Sequence, residues 1–138
     1  MEDLELLARE AVDSAFNIHR DLGPGLLESV YETLMLRALE KRGRRVERQK
    51  PISFTYDGID FEEGFRADLL IEGRLLVELK SAEKIAVVHG KQVLTYLRLM
   101  SLPLGLLINF GAATFKEGVQ RIVNNHVDFA SSRLRLHE

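Results

Sequence analysis

Two acids and a lysine lie close together in the middle of the chain: Asp68, Glu78 and Lys80. Two carboxylates can hold a divalent cation, and such a cation can polarise a phosphoryl oxygen and lower the pKa of a bound water. A lysine beside them can offset negative charge that develops during a reaction. If the fold brings these three side chains together, their chemistry suits the hydrolysis of a phosphodiester.

The residues around these three alternate in polarity, as the strands of a β-hairpin do. Because side chains alternate faces along a strand, Asp68 and Glu78 share a face only if the connecting loop has an odd number of residues. Gly73 fits a three-residue loop, which commonly needs a residue with positive φ. The pattern predicts that the charged residues meet on one face; a plain amphipathic hairpin with a solvated face is the alternative. The odd positions that would form the buried face are Ala67, Leu69, Ile71, Leu75, Val77 and Leu79.

The elements that must position this hairpin are predicted from periodicity and turn residues. Apolar residues at helical spacing predict a helix over about 3–20, and Pro24 predicts the start of a second helix that ends near Arg42. The order α-α-β-β-β-α-β, with a parallel connection through the third helix, predicts an α/β fold with a mixed β-sheet flanked by helices. The residues from Ser131 onward are expected to be loose. Other patterns predict strands at 52–56, 59–71, 75–81 and 104–110, a third helix at 84–100 and a turn at 116–118. Residues 119–123 fit a strand or a helix, and a short strand is favoured.

Length and composition limit the class of protein. A chain of 138 residues fits one domain, which we assign to 1–138, and a hydrophobic content of 46% with mixed charges is typical of a soluble globular protein. The lack of cysteine excludes disulfides and thiolate metal sites and is compatible with the cytoplasm. The acidic first residues do not resemble a signal peptide, and no apolar run is long enough to span a bilayer, so no membrane association is expected.

Charge gives no general sign of a polyanionic partner. The net charge is −2, so nucleic acid would have to be met by a local basic patch. The segment from Lys41 to Lys50 carries six basic residues and could follow a phosphate backbone. It could equally be a solvated helix end, where cations are favoured, since no aromatic residue is interleaved as a stacking platform.

Two sets of residues resemble known families. The run Gly25-Leu26-Leu27-Glu28-Ser29-Val30-Tyr31 matches the motif that names the GxxExxY protein family, and Leu22-Gly23-Pro24 and His19 fit the family pattern just upstream. Asp68, then Glu78-Leu79-Lys80, then Gln92 and Tyr96 are similar in order and spacing to the PD-(D/E)XK nuclease superfamily, with Ala67 where its name has proline. The resemblance spans about residues 12–123 and implies a metal-dependent nuclease-like core.

Each candidate site residue has a role that its chemistry or the resemblance suggests. Asp68 and Glu78 are the first candidates for ligands of Mg²⁺ or Mn²⁺, with the backbone carbonyl of Leu79 as a third. Lys80 would orient the attacking water or offset developing charge. By the resemblance, Glu28 points at the metal site as a further ligand; the alternative is a surface glutamate favoured near a helix N-terminus. The resemblance also implies nucleic acid as the partner, with DNA favoured over RNA.

Gln92 has two open interpretations. It shares a helix face with Tyr96, four residues on, and Ile85, Val88 and Leu99 continue that stripe, which predicts a buried face. Gln92 would then either reach the site or a phosphate, or bond a neighbouring carbonyl in the core, because a buried amide needs a partner.

Two functions from different classes remain. One is a metal-dependent nuclease, and the other is a non-catalytic nucleic-acid- or protein-binding module that keeps the fold. The intact set of acids and lysine favours the nuclease. A small, apolar chain that must grip an extended polymer also predicts a homodimer. Tyr31 is expected to pack with its hydroxyl bonded, and His19 and His89 to be structural groups.

Overall fold

The computed structural model describes residues 3–125 of the chain. No helix in these residues is long and apolar enough to cross a membrane. The segment from Ser131, predicted to be loose, lies outside the described residues. The helices are α1 (Leu4–Leu22), α2 (Glu28–Lys41), α3 (Val87–Met100) and α4 (Phe115–Gly118), and the strands are β1 (Val46–Tyr56), β2 (Ile59–Ile71), β3 (Leu75–Lys80), β4 (Leu104–Asn109) and β5 (Val119–Val123).

The strands form one mixed sheet in the order β1-β2-β3-β4-β5. Neighbouring strands are antiparallel except β3 and β4, which are parallel and are connected through α3. A parallel pair needs such a crossover, because the chain must return to the same end of the sheet before the next strand begins. The predicted mixed sheet flanked by helices is confirmed.

Helices cover both faces of the sheet. On one face, α1 and α2 pack over odd-numbered hairpin residues such as Leu69 and Val77. On the other face, α3 packs over the even-numbered residue Leu76. The helix makes this contact with Val93 and Leu97. The alternative of a plain hairpin with one solvated face is therefore wrong, because the even-numbered face is buried in part and Glu78 lies within the buried part.

The second helix begins later than predicted. Pro24 does not start it, because α2 begins at Glu28 after the N-cap residue Leu27. The preceding residues form a loop in which Gly23 and Gly25 have φ values of 77° and 112°. Residues with a side chain rarely adopt such values, so the two glycines keep this segment out of the helix.

Three other boundaries differ from the predictions. β1 begins at Val46 rather than at residue 52, because its charged first half pairs with β2 through the main chain in spite of its polar sequence. α3 begins at Val87 rather than near Lys84. The turn predicted at 116–118 is part of the single-turn helix α4, and the short strand at 119–123 is confirmed as β5.

Candidate active site

The loop between β2 and β3 has the predicted three residues. Ile71 pairs with Leu75, which leaves residues 72–74 as the loop, and Gly73 within it has a φ of 65°. Extended by one residue beyond the last pair, Leu69 and Val77, this register would place Asp68 opposite Glu78. The odd loop length thus sets both carboxylates on the same face of the hairpin, as the alternation predicted.

β2 and β3 separate at the two acids. Their main-chain pairing extends only as far as Leu69 and Val77. Beyond that point, main-chain N–H groups bond side-chain carboxylates instead of main-chain carbonyls. The N–H of Asp68 donates to Oε2 of Glu78 at 2.8 Å, and the N–H of Leu79 donates to Oδ2 of Asp68 at 2.8 Å. These reciprocal bonds hold the two carboxylates against each other in the opening between the strands.

Burial makes this pair of acids electrostatically strained. Glu78 is only 7% exposed, and burial, followed by the charge of Asp68, raises its pKa to about 8. Burial also raises the pKa of Asp68, although the bonds from Leu79 and Gln49 and the charge of Lys80 oppose that rise. Two acids that resist ionising side by side are stabilised in their charged form by a cation between them.

The main chain after Glu78 also faces the opening. The carbonyl of Lys80 accepts the N–H of Phe110 at 2.8 Å, so the main chain of Lys80 points towards β4. Neighbouring residues of a strand point their N–H and C=O groups to opposite sides, and the N–H of Leu79 is bonded to Asp68. The carbonyl of Leu79 therefore lies on the side of the carboxylates, where it can serve as a further oxygen ligand.

Glu28 belongs to the same charge cluster, although its side chain reaches solvent. Its pKa is raised first by the protein atoms around it and then by the charge of Asp68, while Lys80 lowers it. Glu28 in turn raises the pKa of Glu78. The first turn of α2 thus brings a third acid close enough to interact electrostatically with the pair.

Tyr31 fixes the loop that leads to Glu28. Its hydroxyl donates to the carbonyl of Gly23 at 2.6 Å and accepts the N–H of Leu26 at 3.2 Å. Its ring is fully buried and stacks on Phe110 with 4.4 Å between the ring centres. Tyr31 is therefore the packing residue with a bonded hydroxyl that we predicted, and it anchors the start of α2 against the sheet.

A second network was not predicted from the sequence. Glu32 is buried, accepts hydrogen bonds from Arg48 and accepts the side-chain amide of Gln49 at 2.6 Å. The same amide donates to Oδ1 of Asp68 at 3.1 Å, so Gln49 links Glu32 to the carboxylate pair. One signal could have indicated Glu32: it lies four residues after Glu28 and hence on the same face of α2.

The structure does not bond Gln92 to the carboxylates, and its side chain is exposed. The predicted buried stripe of α3 is wrong, because the buried residues of that helix are Val93 and Leu97. Tyr96, one turn after Gln92, does approach the site: its ring stacks on Phe65 at 3.9 Å between centres. Burial, and then the charges of the two acids, raise the pKa of Tyr96.

His19 and His89, which were expected to be structural groups, make structural contacts. His19 is buried, and its Nε2 bonds the carbonyl of Ala112 at 3.0 Å. Nδ1 of His89 accepts the N–H of Ala86 at 3.1 Å at the start of α3.

The basic segment from Lys41 to Lys50 is divided between two elements and is partly neutralised. Its first residues end α2 and its last ones lie in β1, so the helix-end interpretation covers only part of it. Arg44 pairs with Glu10 through two hydrogen bonds, and Arg48 pairs with Glu32. These arginines join α1, α2 and β1 to one another.

The oxygen atoms of Asp68, Glu78 and Leu79 suit a cation that needs few protein ligands. In residues 3–125, no group of three or more histidine, aspartate or glutamate side chains is arranged to hold a metal. Each carboxylate of the pair uses one oxygen for a main-chain N–H. Mg²⁺ is commonly bound by one or two carboxylates and keeps several waters, so the pair and the carbonyl of Leu79 fit it.

Comparison with known proteins agrees with this geometry. Residues 5–122 match the family model of the PD-(D/E)XK nuclease superfamily. The match covers most of the chain, and the chain therefore belongs to this superfamily. No curated protein matches it. The superfamily indicates a nuclease-like function, and its members generally use divalent metal ions.

Proposed function

We propose that this protein is a metal-dependent nuclease that hydrolyses phosphodiester bonds of nucleic acid. The observation that carries the proposal is the pair formed by Asp68 and the buried Glu78, which are held against each other where β2 and β3 separate. Such a pair resists ionisation on its own. A bound cation would stabilise both carboxylates in their ionised form. The run from Gly25 to Tyr31 further supports membership of the GxxExxY family.

The residues of the site have distinct roles in this proposal. Asp68, Glu78 and the carbonyl of Leu79 would hold Mg²⁺ or Mn²⁺, and Glu28 is the candidate for a further ligand through water. When bound, the metal would polarise the scissile phosphate and acidify a water. Lys80, whose charge lowers the pKa of all three acids, would offset negative charge on the phosphate.

We expect DNA rather than RNA as the polymer, a cytoplasmic location and a homodimer.

A surface that supports the homodimer is the outer half of the β1–β2 ribbon. Tyr56, Ile59 and Phe61 are 39%, 57% and 42% exposed there. Phe54 pairs with Phe61 and Tyr56 with Ile59, so all four lie on one face of the ribbon. Light scattering that gives a monomer at high micromolar concentration would contradict the homodimer.

A cleavage assay with substituted proteins tests the nuclease. With Mg²⁺ or Mn²⁺, the wild type should cleave single-stranded, duplex or branched DNA or RNA. Asp68→Asn, Glu78→Gln and Lys80→Ala should each abolish cleavage while the fold is retained. The two amide variants should also lose metal binding, because an amide keeps the shape but lacks the charge that holds the cation.

Controls separate the nuclease from the binding module. Glu62→Gln changes an exposed glutamate on β2, away from the opening, and should leave cleavage unchanged. Activity that survives Glu78→Gln in a preparation free of contaminating nuclease would rule out the mechanism. If the wild type binds metal but cleaves none of the substrates, the protein is instead a binding module that keeps the nuclease fold.

A further inference from the structure

A cleft adjoins the candidate active site and shares Glu28 with it. Its walls are residues 24–28 on one side and residues 81–83 with Gly111 on the other, and its volume is about 440 Å³. Ser81 directly follows Lys80 in the chain, so the cleft begins one residue beyond the candidate active site. A group bound beside the reacting phosphate would therefore reach this cleft, whose size is that of a small-molecule site.

The lining of the cleft does not suit a phosphate. Its described lining residues include no lysine or arginine, and its charged ones are the acids Glu28 and Glu83. The remaining lining residues are apolar or small: Pro24, Gly25, Leu26, Leu27, Ser81, Ala82 and Gly111. Two acids repel an anion, whereas they can accept hydrogen bonds from an uncharged group with N–H donors. A nucleobase has such donors and an apolar face.

Leu27 is the residue that local structure explains least. It occupies the N-cap of α2, where its side chain makes no capping hydrogen bond. Serine, threonine, aspartate or asparagine would stabilise the helix at this position. Packing does not account for leucine either, since its side chain is 74% exposed. A residue that departs from the N-cap preference and does not stabilise the fold is expected at a position that contacts a ligand.

Both walls of the cleft are held in place. The hydroxyl of Ser81 donates to the carbonyl of Leu26 at 2.6 Å and so joins one wall to the other. Tyr31 holds the main chain of Leu26, and the side chain of Asn109 bonds both the N–H and the carbonyl of Ala82. A cleft fixed in this way loses little conformational freedom when it is filled.

We propose that this cleft receives the unpaired base of the nucleotide beside the scissile phosphate. The protein would then act on single strands, flaps or strand ends in preference to continuous duplex. A base between Leu27 and residues 81–83 is separated from its complementary strand, so a duplex must first be unstacked and unpaired there, and a single strand need not be. The inference rests on the proposed nuclease function.

Abasic scanning of a bound oligonucleotide tests the inference. The Lys80→Ala variant with Mg²⁺ is titrated by fluorescence anisotropy with labelled single-stranded DNA and RNA, each carrying one abasic nucleotide at a different position. One position should weaken binding about tenfold and the others should not, because a single base contact is lost only there. The matching unmodified duplex should bind at least about tenfold more weakly than the single strand.

A second substitution assigns the effect to the cleft. Leu27→Ser, added to Lys80→Ala, removes the apolar wall but places a preferred N-cap residue, so the helix should be retained or stabilised, as a thermal melt would show. In this background the position-specific loss should disappear. Val123→Ser changes an exposed apolar residue on β5; it is the matched control and should leave the scan unchanged.

The outcomes separate the two proposals. If no single-stranded, duplex or branched nucleic acid binds, the proposed function itself is overturned. If nucleic acid binds but the abasic scan is flat, or duplex binds as tightly as single strand, the base-binding cleft is overturned and the nuclease is not. A position-specific loss that persists in Leu27→Ser would also overturn the cleft as the site of the base.

Discussion

Replacing Glu78 with glutamine should stabilise the metal-free protein at neutral and alkaline pH. Burial and the charge of Asp68 raise the pKa of Glu78 from 4.5 to about 8, so the folded state keeps a proton that the unfolded chain releases between these values. Stability therefore falls as the pH rises from 4.5 to 8. At about 1.36 kcal/mol per pKa unit, the ionised carboxyl costs the fold up to about 4 kcal/mol at about pH 8. Glutamine carries no charge, and its amide oxygen can still accept the N–H of Asp68.

Urea unfolding with a chelator, from about pH 5 to about pH 8, measures this effect. The Glu78→Gln protein should exceed the wild type by about 2–4 kcal/mol at the upper pH and by less than about 1 kcal/mol at the lower one. Glu62→Gln, on an exposed part of β2, should show no such trend. Added Mg²⁺ should narrow the gap, because it binds and stabilises only the wild type. A Glu78→Gln protein less stable than the wild type at the upper pH would refute the reasoning.

Three other outcomes depend on the same contacts. Mg²⁺ binding near neutral pH should release close to one proton, because Glu78 ionises when the metal binds. Calorimetry in buffers of different ionisation enthalpy measures the number of protons released, and a number near zero would contradict this prediction. Tyr31→Phe should lower the free energy of unfolding by about 1–3 kcal/mol, because the N–H of Leu26 loses its partner; an unchanged urea midpoint would count against this role. Gln49→Leu should weaken Mg²⁺ binding, because the donor to Asp68 is lost, and unchanged affinity would show that Gln49 does not position that carboxylate.

The hairpin could be predicted because its information is local. Alternation of polarity assigns each side chain to a face, and one glycine suits a loop of odd length. Together these patterns placed Asp68 and Glu78 side by side before any long-range contact was considered. The packing role of Tyr31 and the parallel connection through α3 were also predicted, the latter because topology leaves few choices for such a chain order.

The network behind Asp68 could not be predicted in the same way. Gln49 has a φ of 48°, a conformation that few residues other than glycine adopt, and nothing in its neighbours along the chain indicates it. Its side chain is directed by Glu32 from α2 and by Asp68 from β2, which are 17 and 19 residues away. Such a contact exists only once the three elements have packed.

The prediction of which face of α3 is buried was wrong for a related reason. The stripe through Gln92 and Tyr96 is apolar enough to be a core face, but Val93 and Leu97 form a competing one. Helical periodicity describes both stripes equally well, and the position of the sheet decides which of them is covered.

The amino-acid sequence by itself determined the order of the elements, the shared face of the two acids and the residue types available for metal chemistry. These properties depend on periodicity, turn residues and ligand preference, which act within a few residues. Only the tertiary structure decided that Glu78 is buried with a raised pKa, that Glu28 joins its charge cluster and that a cleft opens beside them. Burial and charge interactions depend on atoms brought from distant parts of the chain, so no local pattern contains them.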